Sequence, residues 1–340
     1  MDTDRKSFAA ADYTLFGLTL LASAGIGAYF SIQGWRNKNA TAADLLMGSG
    51  QMLVLPTALS LLTSFLSGVS LLAFPAEVYQ RGVLLYFTRI IGAPFAVIMV
   101  MVVVLPIFWQ LKDDTNGISS VYEYLQKRFN SVTLRLCGTV LYIMFMAAYM
   151  AIVLYAPSKA LSGVTGVDTY VFLISVGVLC SVYTAFGGLK AVVWTDSLQF
   201  VFMLIGCLAL FFKGTVDNGG FYETFHIANE MGRFKDMYNW DLNPLYYMTM
   251  WTAIFGGIGI WFCLLTFNQI SVQRYLSLPT LKASRQVLAI NIPGYIIFCT
   301  LCDLLGIVMF TYYFKIGCDP IMSKIVSTRD QLVIYYALAI

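Results

Sequence analysis

Residues 56–82 hold the side chains best suited to chemistry: Thr63, Ser64, Ser67, Gly68 and Ser70 interrupt an apolar run, and Pro75 and Glu77 follow. Hydroxyls, together with backbone carbonyls freed where a helix breaks, are oxygen ligands for a hard cation such as Na⁺ and supply them without burying full charges. Broken backbone at membrane depth is tolerated only where protein surrounds it or it lines a cavity. The same small polar residues could instead ease close helix packing or bond back to the preceding turn. Other chemistries have little to work with. There is one histidine, His226, in a polar loop, and the seven cysteines form no His/Cys cluster; the one CxxC spacing, Cys299-Thr-Leu-Cys302, lies inside an apolar span. No paired acids or nucleophile motif appears inside the apolar spans, so an enzyme is not expected.

The elements that must position these residues are helices in a lipid bilayer. The chain is 59% hydrophobic and 11% charged over 340 residues, with apolar runs of spanning length along most of it. A net charge of +3 with no long basic block excludes nucleic acid as a partner. Eight spans are expected, at 13–33, 53–76, 83–109, 136–156, 168–186, 192–213, 247–268 and 287–314. Residues 113–117 read as a turn. Ser120 and Glu123, three apart, suggest a capping box that opens a short amphipathic surface helix. The seventh span places Gly256, Gly257 and Gly259 at mid-depth beside Trp251 and Thr252, which predicts a second break there. Interrupted spans in corresponding places of two halves point to a transporter binding site. Their starts lie five spans apart, an odd number, so the second unit enters the membrane inverted.

Lys and Arg do not orient the chain by number, since an extracellular N-terminus puts ten of the 21 inside and eleven outside. That orientation is favoured locally by Arg274, Lys282 and Arg285, which share one link with no acid. The sequon Asn39-Ala-Thr41 would then face the cytoplasm and stay unmodified. Glu77, Arg81 and Arg89 are either a gate cluster or interfacial anchors. Asp303 lies deeper, where charge is functional by default, but the sequence assigns it no partner. Asp196, near the start of the sixth span, could serve as a helix-terminus acid.

The chain resembles the sodium/solute symporter family, in particular the branch of the monocarboxylate, multivitamin and iodide transporters. The strings that carry the likeness are Phe74-Pro-Ala-Glu-Val-Tyr79, Tyr155-Ala-Pro157, the stretch from Tyr183 to Asp196 with Gln199, Asn268-Gln-Ile-Ser-Val-Gln-Arg-Tyr275 and Cys318-Asp-Pro320. They occur in family order between Asp12 and Gln331.

The resemblance implies an all-α, LeuT-like fold of inverted five-helix repeats and Na⁺-driven uptake by alternating access at the plasma membrane. On that basis 1–12 is an extracellular N-terminus, 13–33 an extra helix and 53–213 the first repeat. Residues 214–246 form an extracellular loop, 247–314 begin an incomplete second repeat, and 315–340 are a truncated extracellular tail. The implied Na⁺ site uses Thr63, Leu66 and Ser67, with Tyr149 and Asp196, and hydroxyls from an eighth core helix that this chain does not contain. Ser70, Phe74, Thr88 and Trp251 match solute-pocket positions. The stretch from Trp251 to Phe267 carries no charge, which argues against sugars, and Ser70 replaces the glutamine of iodide carriers. The expected solute is therefore a small organic anion, monocarboxylate or vitamin-like, taken up with Na⁺. A non-transporting sensor or subunit is the alternative.

Overall fold

In the computed structural model the described residues are 10–36, 46–113, 118, 120–243, 245–246, 248–326 and 328–340. Asn39, with its sequon, and Asp114 to Gly117 of the expected turn lie outside them, as do residues 1–9 of the N-terminal segment. Every long element is a helix, as hydrocarbon requires of a chain that must satisfy its own backbone.

Helix α1 (Ala10–Arg36) packs along the later helix α7. A bent pair follows, α2 (Val54–Phe65) and α3 (Gly68–Arg81), crossing at 56°. α4 (Thr88–Lys112) contains two π-helical stretches, at Thr88–Gly92 and Val100–Val104. The surface helix α5 (Val121–Phe129) opens on Ser120, whose hydroxyl accepts the Glu123 N–H at 3.2 Å, as expected of its cap. The Glu123 carboxylate lies 3.9 Å from Arg135.

α6 (Val132–Thr165) and α7 (Thr169–Asp217) come next. A straight helix of 49 residues would be about 74 Å long, more than twice the roughly 30 Å hydrocarbon layer. α7 breaks at Gly188, whose φ of 60° and ψ of −159° suit glycine alone, so the fifth and sixth expected spans are its two arms. The short helix α8 (Phe221–Glu230) leads to a second bent pair, α9 (Met250–Thr266) and α10 (Gln269–Leu276), crossing at 57°. α11 (Leu281–Ile316) and α12 (Leu332–Ala339) complete the described chain. By length and apolarity five helices can cross a bilayer, or seven elements when each bent pair counts as one.

The core forms around α11, whose residues Phe298, Cys302, Leu305 and Met309 are fully buried against α2, α3 and α7. α1 and α6 keep most of their apolar side chains exposed, which in this composition means a lipid-facing surface. The first bent pair packs on α11 through both of its helices, and the second packs on α4 through α9 and touches α11 through α10.

One expectation fails. The glycines of α9 are fully helical, and the second break falls later, between Thr266 and Gln269, where Asn268 caps α10 by accepting the Ile270 N–H at 3.0 Å. Gly257 serves a close crossing with α4: a β-carbon there would lie 2.7 Å from the Thr88 carbonyl oxygen, and one on Gly92 would lie 2.8 Å from Gly257 backbone. Glycine in a membrane helix marks approach of two backbones as readily as a break.

Candidate functional site

The first break lies where the hydroxyls cluster. Thr63 and Ser64 bond back to the carbonyls of Leu59 and Ser60, at 2.8 and 2.9 Å, which loosens the last turn of α2. Leu66 then leaves helical geometry at φ −102°, ψ 79°, and Ser67 is extended. Ser67 caps α3 by accepting the Val69 N–H at 3.2 Å, and Ser70 donates to the Phe65 carbonyl across the gap at 3.2 Å. Among the described residues no backbone N–H reaches the carbonyls of Thr63, Ser64 or Leu66. Thr63, Leu66, Ser67 and Ser70 are thus brought together at one point of freed backbone, an arrangement able to coordinate a hard cation.

Other expected residues are held at different distances from that point. The Thr63 hydroxyl lies 3.1 Å from the backbone carbonyl of Asp196, which brings α7 against the break. The Asp196 carboxylate faces the opposite way along α2. It accepts from Ser60 at 2.6 Å and from Arg274 of α10 at 2.9 Å, and Arg274 Nε also donates to Ser60 at 2.9 Å. Asp196 sits in the interior of a helical arm, well past Gly188, and its partner is a cation, so it does not act as a helix-terminus acid. Tyr149 is on α6, two turns before Pro157, which meets Gly68; its ring stacks on Phe145 and is 39% exposed.

A cavity adjoins the break, with Phe65, Ala93, Trp261, Asn291 and Tyr295 among its walls. Trp261 packs edge-on against Phe65 at 5.6 Å and Tyr295 at 4.6 Å. Trp251, which the sequence favours, lies at the first turn of α9, 40% exposed, with its indole N–H donated to the Trp240 carbonyl at 3.2 Å. Trp261 was legible only as one more aromatic in an apolar span. The signal that could have found it is its position about two turns before the Asn268 cap, near the true break.

Arg89 and Asp303 resolve a second gap. Both carboxylate oxygens of Asp303 lie 2.6 Å from one Arg89 nitrogen, and the two side chains are 7% and 5% exposed. The Phe74 ring covers the guanidinium at 4.2 Å. Arg89 is therefore no part of a cluster with Glu77, which pairs with Arg81 at 3.1 Å and with Arg329 at 3.2 Å. Two opposite charges inside apolar spans had to find each other. Beyond the membrane-spanning helices, Arg233 covers the end of α3, donating to the Gln80 carbonyl at 3.0 Å and lying on Phe310 at 3.8 Å. Burial pushes its pKa below the ordinary arginine value, against the opposing pull of Tyr79 and Asp319.

A family model described as the sodium:solute symporter family matches residues 45–335. The chain belongs to the sodium:solute symporter family. Among curated relatives of this family member, mouse sodium-coupled monocarboxylate transporter 1 is 39% identical over 100% of the chain and 54% of that protein. Rabbit sodium-dependent multivitamin transporter is 37% identical over 99% and 51%, and human sodium/iodide cotransporter 37% identical over 96% and 49%. The chain thus spans about half the length of the curated relatives it matches. A solved structure of a Na⁺-coupled sialic acid symporter, substrate-bound and outward-open, aligns at a TM-score of 0.84 and 25% identity over 98% of the chain and 66% of its own length. The symporter fold expected from the paired breaks is thereby the fold of this chain, and this symporter family is not an enzyme family.

Proposed function

We propose that the chain is the part of a plasma-membrane symporter that binds Na⁺ and a small organic anion, a monocarboxylate or vitamin-like solute, and moves them inward by alternating access with the N-terminus extracellular. The observation that carries this reading is the break between α2 and α3, where Thr63 and Leu66 carbonyls lack helix partners beside the Ser67 and Ser70 hydroxyls. In the proposed cycle Na⁺ takes the carbonyls of Thr63 and Leu66 with Ser67, while Tyr149 and Asp196 act along its path. The Asp196 carboxylate, shared with Arg274 and Ser60, would be a way station toward the α10 side of the molecule.

The solute is proposed to meet Ser70, Phe74 and Thr88, with Trp251 contributing from the first turn of α9. Each ligand improves the other's site because the N-terminal end of α3 favours negative charge and the freed carbonyls favour positive charge. The relatives named for monocarboxylate, multivitamin and iodide transport support a small anion as solute. Uptake of labelled pyruvate, biotin and iodide into cells expressing the chain, in Na⁺ and in choline, tests the reading. Saturable uptake of an organic anion that needs Na⁺ is expected, and equal uptake in choline refutes the coupling.

A further inference from the structure

We propose that Arg89 is the receptor for the solute's carboxylate and that Asp303 holds the guanidinium in place until the solute arrives. The inference rests on the symport reading above and names the group that selects an organic acid.

A buried ion pair is weak evidence for stability, because apolar residues of similar size often serve as well. Inside apolar spans its presence calls for another reason. The geometry of this pair supplies one. A carboxylate and a guanidinium usually meet through two parallel N–H···O bonds. Here both Asp303 oxygens crowd one nitrogen at 2.6 Å, and the two-pronged edge is left unmatched. Arg89 Nε is buried without a partner. The hydroxyls of Thr88, next along the chain, and of Tyr295, two turns before Asp303 on the same face of α11, are also buried without partners. Natural proteins leave few buried polar groups unpaired, and three of them near one ion pair, with Tyr295 also lining the adjacent cavity, suit a ligand that comes from outside.

The neighbouring cavity is small, about 20 Å³, the space of about one water, so the pair and its walls must part to admit a short organic acid. Ala93, one turn beyond Arg89, lines it with Phe65, Trp261 and Tyr295, so apolar walls adjoin a cationic end. Charge balance also ties the solute to Na⁺. Arg89 and Asp303 together are neutral, and an added carboxylate leaves one net negative charge in a low-dielectric site. A cation at the Thr63 and Leu66 carbonyls, beside Phe65, neutralises it.

The test is scintillation-proximity binding of labelled lactate, nicotinate, biotin and iodide to the purified full 340-residue chain in nanodiscs, in Na⁺ and in choline, with lactamide as the neutral competitor. Wild-type protein is expected to bind a carboxylate only with Na⁺ and to prefer lactate to lactamide at least tenfold. Asp303→Asn removes the competing carboxylate and one negative charge. It should tighten carboxylate binding about fivefold or more and weaken its need for Na⁺. Arg89→Gln with Asp303→Asn keeps the shape of the pair without its charges, and should retain a monodisperse fold while losing the preference for lactate. Equal competition by lactate and lactamide, a preference that survives the double change, or Na⁺-dependent binding of iodide alone overturns the role of Arg89 and leaves the symport reading standing. No Na⁺-dependent binding of any probe removes both.

Discussion

Arg274 spends three nitrogens on three partners: Nε on Ser60, one terminal nitrogen on the Ile270 carbonyl, and the other on Asp196. Removing it leaves Asp196 with the Ser60 hydroxyl alone in a largely apolar setting. Breaking a buried pair from one side costs several kcal/mol, because the remaining charge cannot return to water. Arg274→Met should therefore lower stability by roughly 3 kcal/mol, read as a lower midpoint in thermal unfolding of the detergent-solubilised chain. Arg274→Met with Asp196→Leu should recover most of that loss. A double variant no more stable than the single one would assign the cost to lost packing. At this scale the sequence is a partial guide. It marks Asp196, Arg89 and Asp303 as unusual, since each is a charge inside an apolar run, but their partners lie 78 and 214 residues away. Opposite signs among the few charges in the spans were the available clue, and only the packing of α4 on α11 and of α10 on α7 turns it into pairs.

The two bends differ in how openly the chain declares them. At the first, back-bonded hydroxyls, a serine cap and Gly68 stand consecutively, and the helix parts where they predict. At the second, three glycines draw attention upstream while Asn268 makes the cap. The glycines have a separate task, and its consequence is measurable. Gly257 has the Thr88 carbonyl 2.7 Å from the place a β-carbon would take, whereas Gly256 has nothing within 4 Å. Backbone cannot step aside as a side-chain tip can. Gly257→Ala should thus destabilise the α4–α9 crossing by about 1–3 kcal/mol, the usual cost of overpacking. Gly256→Ala should be near neutral, since alanine is a better helix former. The comparison of thermal midpoints needs both variants, and equal losses would show that the crossing is looser than the backbone distances indicate.

Across the whole molecule, the bends of 56° and 57° mark two similar units, whose starts lie five crossings apart when the two arms of α7 are counted separately. An odd separation has the units enter the bilayer from opposite sides, as the proposed alternating cycle requires. The fifth and sixth spans were legible in the apolar runs as the two arms of α7 that part at Gly188; the central place of α11 was not, because it depends on packing between distant segments. In the proposed orientation the link that carries Arg274, Lys282 and Arg285 without an acid lies on the cytoplasmic side. One further crossing, α11, then delivers Cys318 to the outside, where it is partly exposed just beyond the Gly317 cap. A membrane-impermeant maleimide should label the chain in intact cells through this residue, and Cys318→Ser should abolish most of the signal. The remaining cysteines lie within helices α6, α7, α9 and α11, where hydrocarbon keeps a charged, water-soluble reagent away. Labelling that appears only after permeabilisation would invert the molecule, placing the Asp196 and Arg274 cluster on the extracellular side and reversing the direction in which Na⁺ would leave past it.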